Sequence, residues 1–131
     1  MTAPIHITIP DTRAPGWNTI MRMHWAKQDK LNNEMWLLAR AAMGDREWQE
    51  LDYRVDVHVI ATFKGNMLDP DNVCSKFVID AIKTKKDNKT GEIVERRILQ
   101  DDNPTWVRRV TSESLRGKRN SVEIILTEAT A

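Results

Sequence analysis

Two carboxylates flank a proline at the start of the stretch Leu68–Ile82: Asp69-Pro70-Asp71-Asn72, followed by Lys76 and Asp80. A second acidic pair, Asp101-Asp102, stands further along, just before Asn103-Pro104. Aspartates at a helix start and at a strand end can converge in space. Asp69, Asp71 and Asp102, with Asp101 or Asp80 as further candidates, would supply three or four hard oxygen ligands. Magnesium takes only a few carboxylates and keeps several waters, leaving room for a phosphate oxygen and a nucleophilic water. Such a metal lowers the pKa of its water and stabilises charge building on phosphorus and the leaving oxygen. Lys76, on the same helix face as Asn72 and Asp80, can reach a scissile phosphate or protonate a leaving group. The chain has no Gly-rich phosphate loop, HExxH, CxxC or plausible Ser-His-Asp set, so metal-assisted phosphodiester cleavage needs the fewest assumptions.

The same residues also have a purely structural reading. Asp is a good N-cap, Pro suits the first helical position, and an acid in the first turn complements the helix dipole. A calcium loop is excluded, because Val73 and Cys74 stand where a ligand and the obligatory Gly belong.

These residues need elements to position them. On a 100° wheel Val73, Cys74, Phe77, Val78, Ala81 and Ile82 fall on one half of the helix, with Asn72, Lys76, Asp80 and Lys83 opposite and Ile79 at the edge. Ile5, Ile7 and Ile9 alternate with polar residues before Pro10 and predict a strand; Asp11 to Asn18 reads as a loop. Ala26 to Met43 is the longest helical pattern, with Leu31, Met35, Leu38 and Ala42 as its apolar stripe and Gly44 as its stop. Met21, Met23, Trp25, Trp36 and Met43 read as core bulk, and His24 as a surface cap of that helix rather than a base contact. Tyr53 to Lys64 is the clearest strand, with Tyr53, Val55, Val57, Val59, Ala61 and Phe63 on one side; His58 on the other reads as structural or solvated. Lys83 to Glu92 reads as an exposed, mobile loop and Ile93 to Leu99 as a short strand. Trp106–Leu115 and Ser121–Thr127 read as two strands of a hairpin joined by Arg116-Gly117-Lys118. The expected fold class is α+β: two layers, a mixed β-sheet packed against two main helices in β-α-β-α-β-β order, in one domain spanning 1–131.

No apolar run approaches the ~18 residues a membrane span needs. The N-terminus lacks the basic and apolar regions of a secretion signal, and the lone Cys74 cannot form an internal disulfide. A reducing, cytoplasmic setting is expected. Net charge is only +1, yet residues 83–119 carry eleven Lys and Arg against six acids. A basic half beside a carboxylate cluster suits a metal-dependent enzyme acting on a polyanion.

Asp69-Pro70-Asp71-Asn72, then Lys76 and Asp80, then Asp101-Asp102, resembles the RusA-type Holliday junction resolvases of phages and prophages, whose pattern is D-x-D-N, a Lys and an Asp further along that helix, and a later D-D pair. The likeness extends to Asn18…His24-Trp25-Ala26-Lys27 and to Val107-Arg108-Arg109-Val110…Gly117-Lys118, and so covers most of the chain. It implies a mixed α+β sheet, a homodimer, Mg2+ (with Mn2+ able to substitute) and no organic cofactor. The implied activity is symmetric nicking of four-way DNA junctions in recombination and repair. By this carry-over Asp69, Asp71 and Asp102 bind the metal and Lys76 is the catalytic lysine. Arg22, Lys27, Lys83, Arg108, Arg109, Lys118 and Arg119 are the expected DNA contacts, holding phosphates without reading sequence. Alternatives within reach of the same residues are a nuclease of other branched DNA and a non-catalytic junction-binding protein.

One departure from the pattern bears on the lysine. The family places it four residues after the second Asp; here Ser75 holds that place and Lys76 follows it. One residue is about 100° of helix. Either the helix starts later or bulges near Val73-Cys74, or another base such as Lys83 substitutes. The long Lys83–Arg97 segment, often a short turn in the family, is either a DNA-contacting flap or a longer hairpin.

Overall fold

The β-branched, strictly alternating stretches become the centre of a four-stranded sheet in the computed structural model, which describes residues 2–44 and 49–130. In chain order the elements are β1 (Ile5–Pro10), α1 (Trp17–Met21), α2 (Trp25–Ala42), β2 (Val55–Phe63), a 3-10 turn (Pro70–Asn72), α3 (Ser75–Ile82), β3 (Lys85–Lys86), β4 (Ile93–Glu95), β5 (Val107–Arg116) and β6 (Ser121–Glu128). The sheet order is β1-β6-β2-β5; β6 is antiparallel to both β1 and β2, and β5 is parallel to β2. This is the expected two-layer α+β arrangement, a mixed sheet with α2 and α3 as its main helices. Ile5, Ile7 and Ile9, Val55 through Phe63 at every second position, and Val122, Ile124 and Leu126 point to one buried face, as the period of two demands. Onto it pack Trp36 and Ala39 of α2 and Val78, Ala81 and Ile82 of α3. No helix among the described residues is long and apolar enough to cross a membrane.

Four expectations are corrected. The last two strands do not form a hairpin: β2 lies between β5 and β6, so the 117–120 connection passes over the end of β2. Gly117 N–H donates to Phe63 O at 3.0 Å and Lys64 N–H to the Asn120 side chain at 2.9 Å, which seals the crossing. A tight turn and alternating flanks mark a reversal of direction, but not which strands become neighbours. The apolar stripe of α2 is also rotated from the expected one. Met35, Trp36 and Ala39 are buried, whereas Leu38 is 45% exposed and Ala42 lies on the surface. The large Trp36 ring reaches the sheet and sets the rotation, and Gly44, at φ +63°, ends the helix as expected. The 11–18 loop ends two residues early, at Gly16, since Trp17 already opens α1.

The fourth correction concerns residues 83–99. Lys83 to Glu92 is not an open loop. Thr84 is buried, Lys85–Lys86 pairs with Ile93–Glu95, and Asp87 closes the turn by accepting from the N–H groups of Lys89 and Thr90. The segment is the longer hairpin, and the strand expected over Ile93–Leu99 stops at Glu95, with Ile98 and Leu99 entering the core.

Candidate active site

The Asp69–Ile82 stretch folds as two pieces. Pro70–Asn72 makes a 3-10 turn in which Asn72 and Val73 N–H groups donate to Asp69 O at 2.9 and 3.2 Å. Val73 is then extended, bridging to Gly16, and Cys74 N–H donates to Pro15 O at 2.9 Å. This short antiparallel pairing with the 15–16 segment draws two residues out of helical geometry, and α3 begins afresh at Ser75. The extra residue before Lys76 is absorbed there. Asp69 therefore does not cap α3, and its side chain makes no capping bond on the 3-10 turn either.

On α3, Lys76, Asp80 and Lys83 line the polar side one turn apart, while Phe77, Val78, Ala81 and Ile82 are buried, joined by Ile79. Asp102 arrives from a distant part of the chain. Leu99 N–H donates to Ile82 O at 3.0 Å and Thr84 N–H to Leu99 O at 2.7 Å, so a parallel bridge between Lys83 and Leu99 stitches the segment after β4 to the end of α3. The turn that follows places Asp102 beside both lysines. Lys76 Nζ lies 3.4 Å from Asp80 and 3.7 Å from Asp102; Lys83 Nζ lies 3.4 Å from Asp80 and 3.6 Å from Asp102. Next to them, Lys86 Nζ is 3.4 Å from Asp101. Burial pushes the Asp101 carboxyl up, but the Asp102 N–H at 2.8 Å and the Lys86 ammonium outweigh it and leave it below the ordinary value.

All these ion pairs exceed the ~2.7–2.9 Å of a close charge-assisted hydrogen bond. One oxygen of Asp80, Oδ1, is enclosed and accepts no hydrogen bond, with the Lys83 ammonium its nearest cation. The lattice is thus loose, with two ammoniums serving two carboxylates. Its carboxylate oxygens are the donor type that magnesium takes.

Of the expected metal ligands, Asp102 is in this cluster with the further candidates Asp80 and Asp101. Asp69 and Asp71 stay exposed on the 3-10 turn, and among the described residues no three acidic, His or Cys side chains close around one point. Lys76 and Lys83 both face the cluster. Of the expected DNA contacts, Arg109, Lys118 and Arg119 are exposed on β5 and the β5–β6 connection. Arg22 and Lys27 border a shallow hollow with Asn18 and His24, whose ring caps α2 by accepting from Ala26 N–H at 3.2 Å. Arg108, also expected to contact DNA, has its guanidinium forked onto Asp56, with Nε to Oδ1 at 3.0 Å and Nη2 to Oδ2 at 2.5 Å.

The cluster opens onto a cleft of about 560 Å3. Its cationic wall comes from Lys76, Lys83 and the β3 residues Lys85 and Lys86; its apolar rim comes from Trp17, Met21 and Trp25. Sequence reasoning missed this rim, because Met and Trp near a helix read as core. It also missed Arg97, counted with the basic half yet buried. Arg97 donates to Ala81 O at 2.8 Å, to Asn33 at 2.8 Å and to Glu95 at 2.8 Å, beneath the Trp36 ring. The one signal for it was its place directly before the apolar pair Ile98-Leu99. Compared with known proteins, the chain matches no family model and no curated sequence.

Proposed function

We propose that the protein is a magnesium-dependent, structure-selective endodeoxyribonuclease that resolves four-way DNA junctions as a homodimer. The observation that carries this reading is the meeting of Asp80 and Asp102 with Lys76 at a cationic cleft, brought about by the Lys83–Leu99 bridge. It adds to the motif resemblance a place where acids and a lysine stand together. In this reading Asp102 holds the metal with Asp69 and Asp71, or with Asp80, since magnesium needs only one or two carboxylates besides its waters and substrate oxygens. When bound, the ion supplies Lewis acidity and an activated water. With Asp102 engaged by a cation, Lys76, whose side chain is 59% exposed, is free to meet the scissile phosphate and donate to the leaving oxygen. Lys83 holds Asp80 in place, and the exposed Arg109, Lys118 and Arg119 grip flanking phosphates. A C2 dimer sets one such site on each of two opposed strands of a near two-fold junction.

Incubation with Mg2+ and a synthetic four-way junction should give paired, symmetric nicks, and Asp102→Asn should abolish them. Asp71→Asn separates the two ligand sets: loss of nicking places Asp71 on the metal, and unchanged nicking leaves the role to Asp80. Absence of nicking by the wild type, or nicking that persists in Asp102→Asn, overturns the assignment. The competing reading is a junction-binding protein without catalysis, which the neutralisation of Asp80 and Asp102 by lysines favours. It predicts junction binding in EDTA and no nicking when Mg2+ is added. Side-by-side cleavage of junction, flap and linear duplex distinguishes a resolvase from a nuclease of other branched DNA.

A further inference from the structure

The cleft holds more than the acid–lysine cluster needs. Trp25 opens α2 with its indole 74% exposed, and Met21 at the end of α1 is 75% exposed. Tryptophan is usually among the more buried residues, and neither side chain fills the core. The His24 ring lies 5.5 Å from the Trp25 ring and tilted by 33°, leaving much of the indole open to the cleft and solvent. Lys85 and Lys86 of β3 and Asn88 of the following turn line the same cleft, with Lys85 Nζ 3.3 Å from Asp29 of α2 and Lys86 Nζ 3.4 Å from Asp101, loose pairs that a phosphate can replace. Four exposed or half-buried lysines line the cleft, Lys76, Lys83, Lys85 and Lys86, against three acids, Asp29, Asp80 and Asp101; Arg97 also borders it but is buried and paired with Glu95.

An exposed aromatic face sharing a cleft with several lysines is a combination by which proteins hold unpaired nucleotides, with the base on the ring and the backbone on the cations. The amides on the floor are already committed. Gln28 Nε2 donates to Ile20 O and Met23 O, and Asn32 donates to Phe77 O while accepting from Arg97. Both Gln28 N–H donors are thereby used, and stacking on an indole face does not depend on which base is presented. An anionic membrane is a poorer fit. The apolar rim leads into a concavity holding three carboxylates, which a flat headgroup surface would not enter.

We propose that this cleft takes an unpaired nucleotide from branched DNA, its base stacked on Trp25 and its phosphates on the lysines of β3. The proposal rests on the nuclease reading above and extends it to how a strand is led from the branch point toward Asp102.

The test is fluorescence anisotropy in EDTA with three labelled probes: oligothymidylate of about 12 nucleotides, within the range of single-strand site sizes, a four-way junction, and a linear duplex. Trp25→Ala should weaken oligothymidylate binding by about 5- to 100-fold and Trp25→Phe by much less. Duplex binding should stay within about twofold, and circular dichroism should show an unchanged fold. Equal oligothymidylate affinity in wild type and Trp25→Ala, with junction binding intact, overturns the stacking site alone. Failure of the wild type to bind the junction at all removes the nuclease reading as well. Binding to phosphatidylserine vesicles that depends on Trp25, with none to oligothymidylate, overturns the proposal in favour of a membrane surface.

Discussion

Lys76 and Asp102 stand 3.7 Å apart although one lies on α3 and the other beyond the β3–β4 hairpin, and Lys83 approaches the same Asp102 oxygen at 3.6 Å. Two lysines thus share one carboxylate, and both also reach Asp80. The break at Val73–Cys74 makes this possible by resetting the start of α3, so that the helix presents Lys76 one turn before Asp80. Which lysine meets substrate follows from their freedom: Lys76 is 59% exposed and Lys83 only 29%.

Lys76→Met should therefore lower Mg2+-dependent junction cleavage by about 10²- to 10⁴-fold, the range of a lost proton donor, while junction affinity in EDTA falls only slightly. Lys83→Met should cost less in cleavage, because Asp80 and Asp102 keep Lys76. Single-turnover cleavage rates compared with binding isotherms check this, and the opposite ranking transfers the catalytic role to Lys83. Lys76→Met should leave thermal stability nearly unchanged, since an exposed ion pair contributes about 0–1 kcal/mol, whereas Lys83→Met also removes the nearest cation from the enclosed Asp80 Oδ1 and should cost more.

Asp56 and Arg108 form a fork at the edge of the sheet, and its pH behaviour follows from the bond. The Arg108 hydrogen bonds hold the Asp56 carboxyl below its usual range, against partial burial that pushes it up. A depressed folded-state pKa stabilises the protein above the unfolded carboxylate value of about 3.9. That stability is lost as pH falls through the lower folded value. Melting temperatures of wild type and Asp56→Asn should differ at pH 7, begin to approach one another below about pH 4, and meet only below the lower folded-state value. A gap that persists unchanged at low pH would mean that Asp56 acts through packing rather than charge. Arg108 is spoken for by this fork, so Arg108→Ala should weaken junction binding less than Arg109→Ala.

Arg97 is expected to act on folding. Its side chain is only 2% exposed, and it ties α2, the end of α3 and β4 together through Asn33, Ala81 and Glu95. Truncation takes from the Ala81 carbonyl its Arg97 donor and leaves Asn33 with only Lys85 and Asn32 with only Phe77 O as partners. Arg97→Ala should thus lower unfolding free energy by about 1–3 kcal/mol, the cost of a buried group losing its partner. Urea denaturation checks this. A variant as stable as wild type but weak in DNA binding would instead place Arg97 on the surface that meets DNA.

The sequence made the period-two strands legible, because Ile5-Ile7-Ile9, Val55 to Phe63 and Val122-Ile124-Leu126 each have one answer to which side is buried. It also marked the polar face of α3 and the need for an adjustment near Val73-Cys74. The pairing of β2 between β5 and β6 was not legible, since Gly117-Lys118 between alternating stretches looks the same whether the strands pair or straddle a third. The approach of Asp102 to Lys76 depends on the Lys83–Leu99 bridge, a backbone contact with no side-chain signature. Arg97 and Trp25 inverted the usual rule, one charged and buried, the other apolar and exposed, so composition pointed the wrong way for both.

The 117–120 crossing over β2 has a steric signature of its own. A Cβ on Gly117 would lie 2.6 Å from Thr62 Cγ2, far inside van der Waals contact. Thr62 cannot swing away cheaply, because its branched Cβ restricts χ1 on a strand paired on both sides. Gly117→Ala should therefore destabilise by about 1–3 kcal/mol, the cost of overpacking. Thr62→Ser removes the clashing methyl and should be nearly neutral alone. The double variant should recover most of the loss, giving a coupling of about 1 kcal/mol or more between the two sites. Chemical denaturation of the four proteins measures it. Additive losses would mean that the closeness of Thr62 is not what makes a side chain at 117 costly.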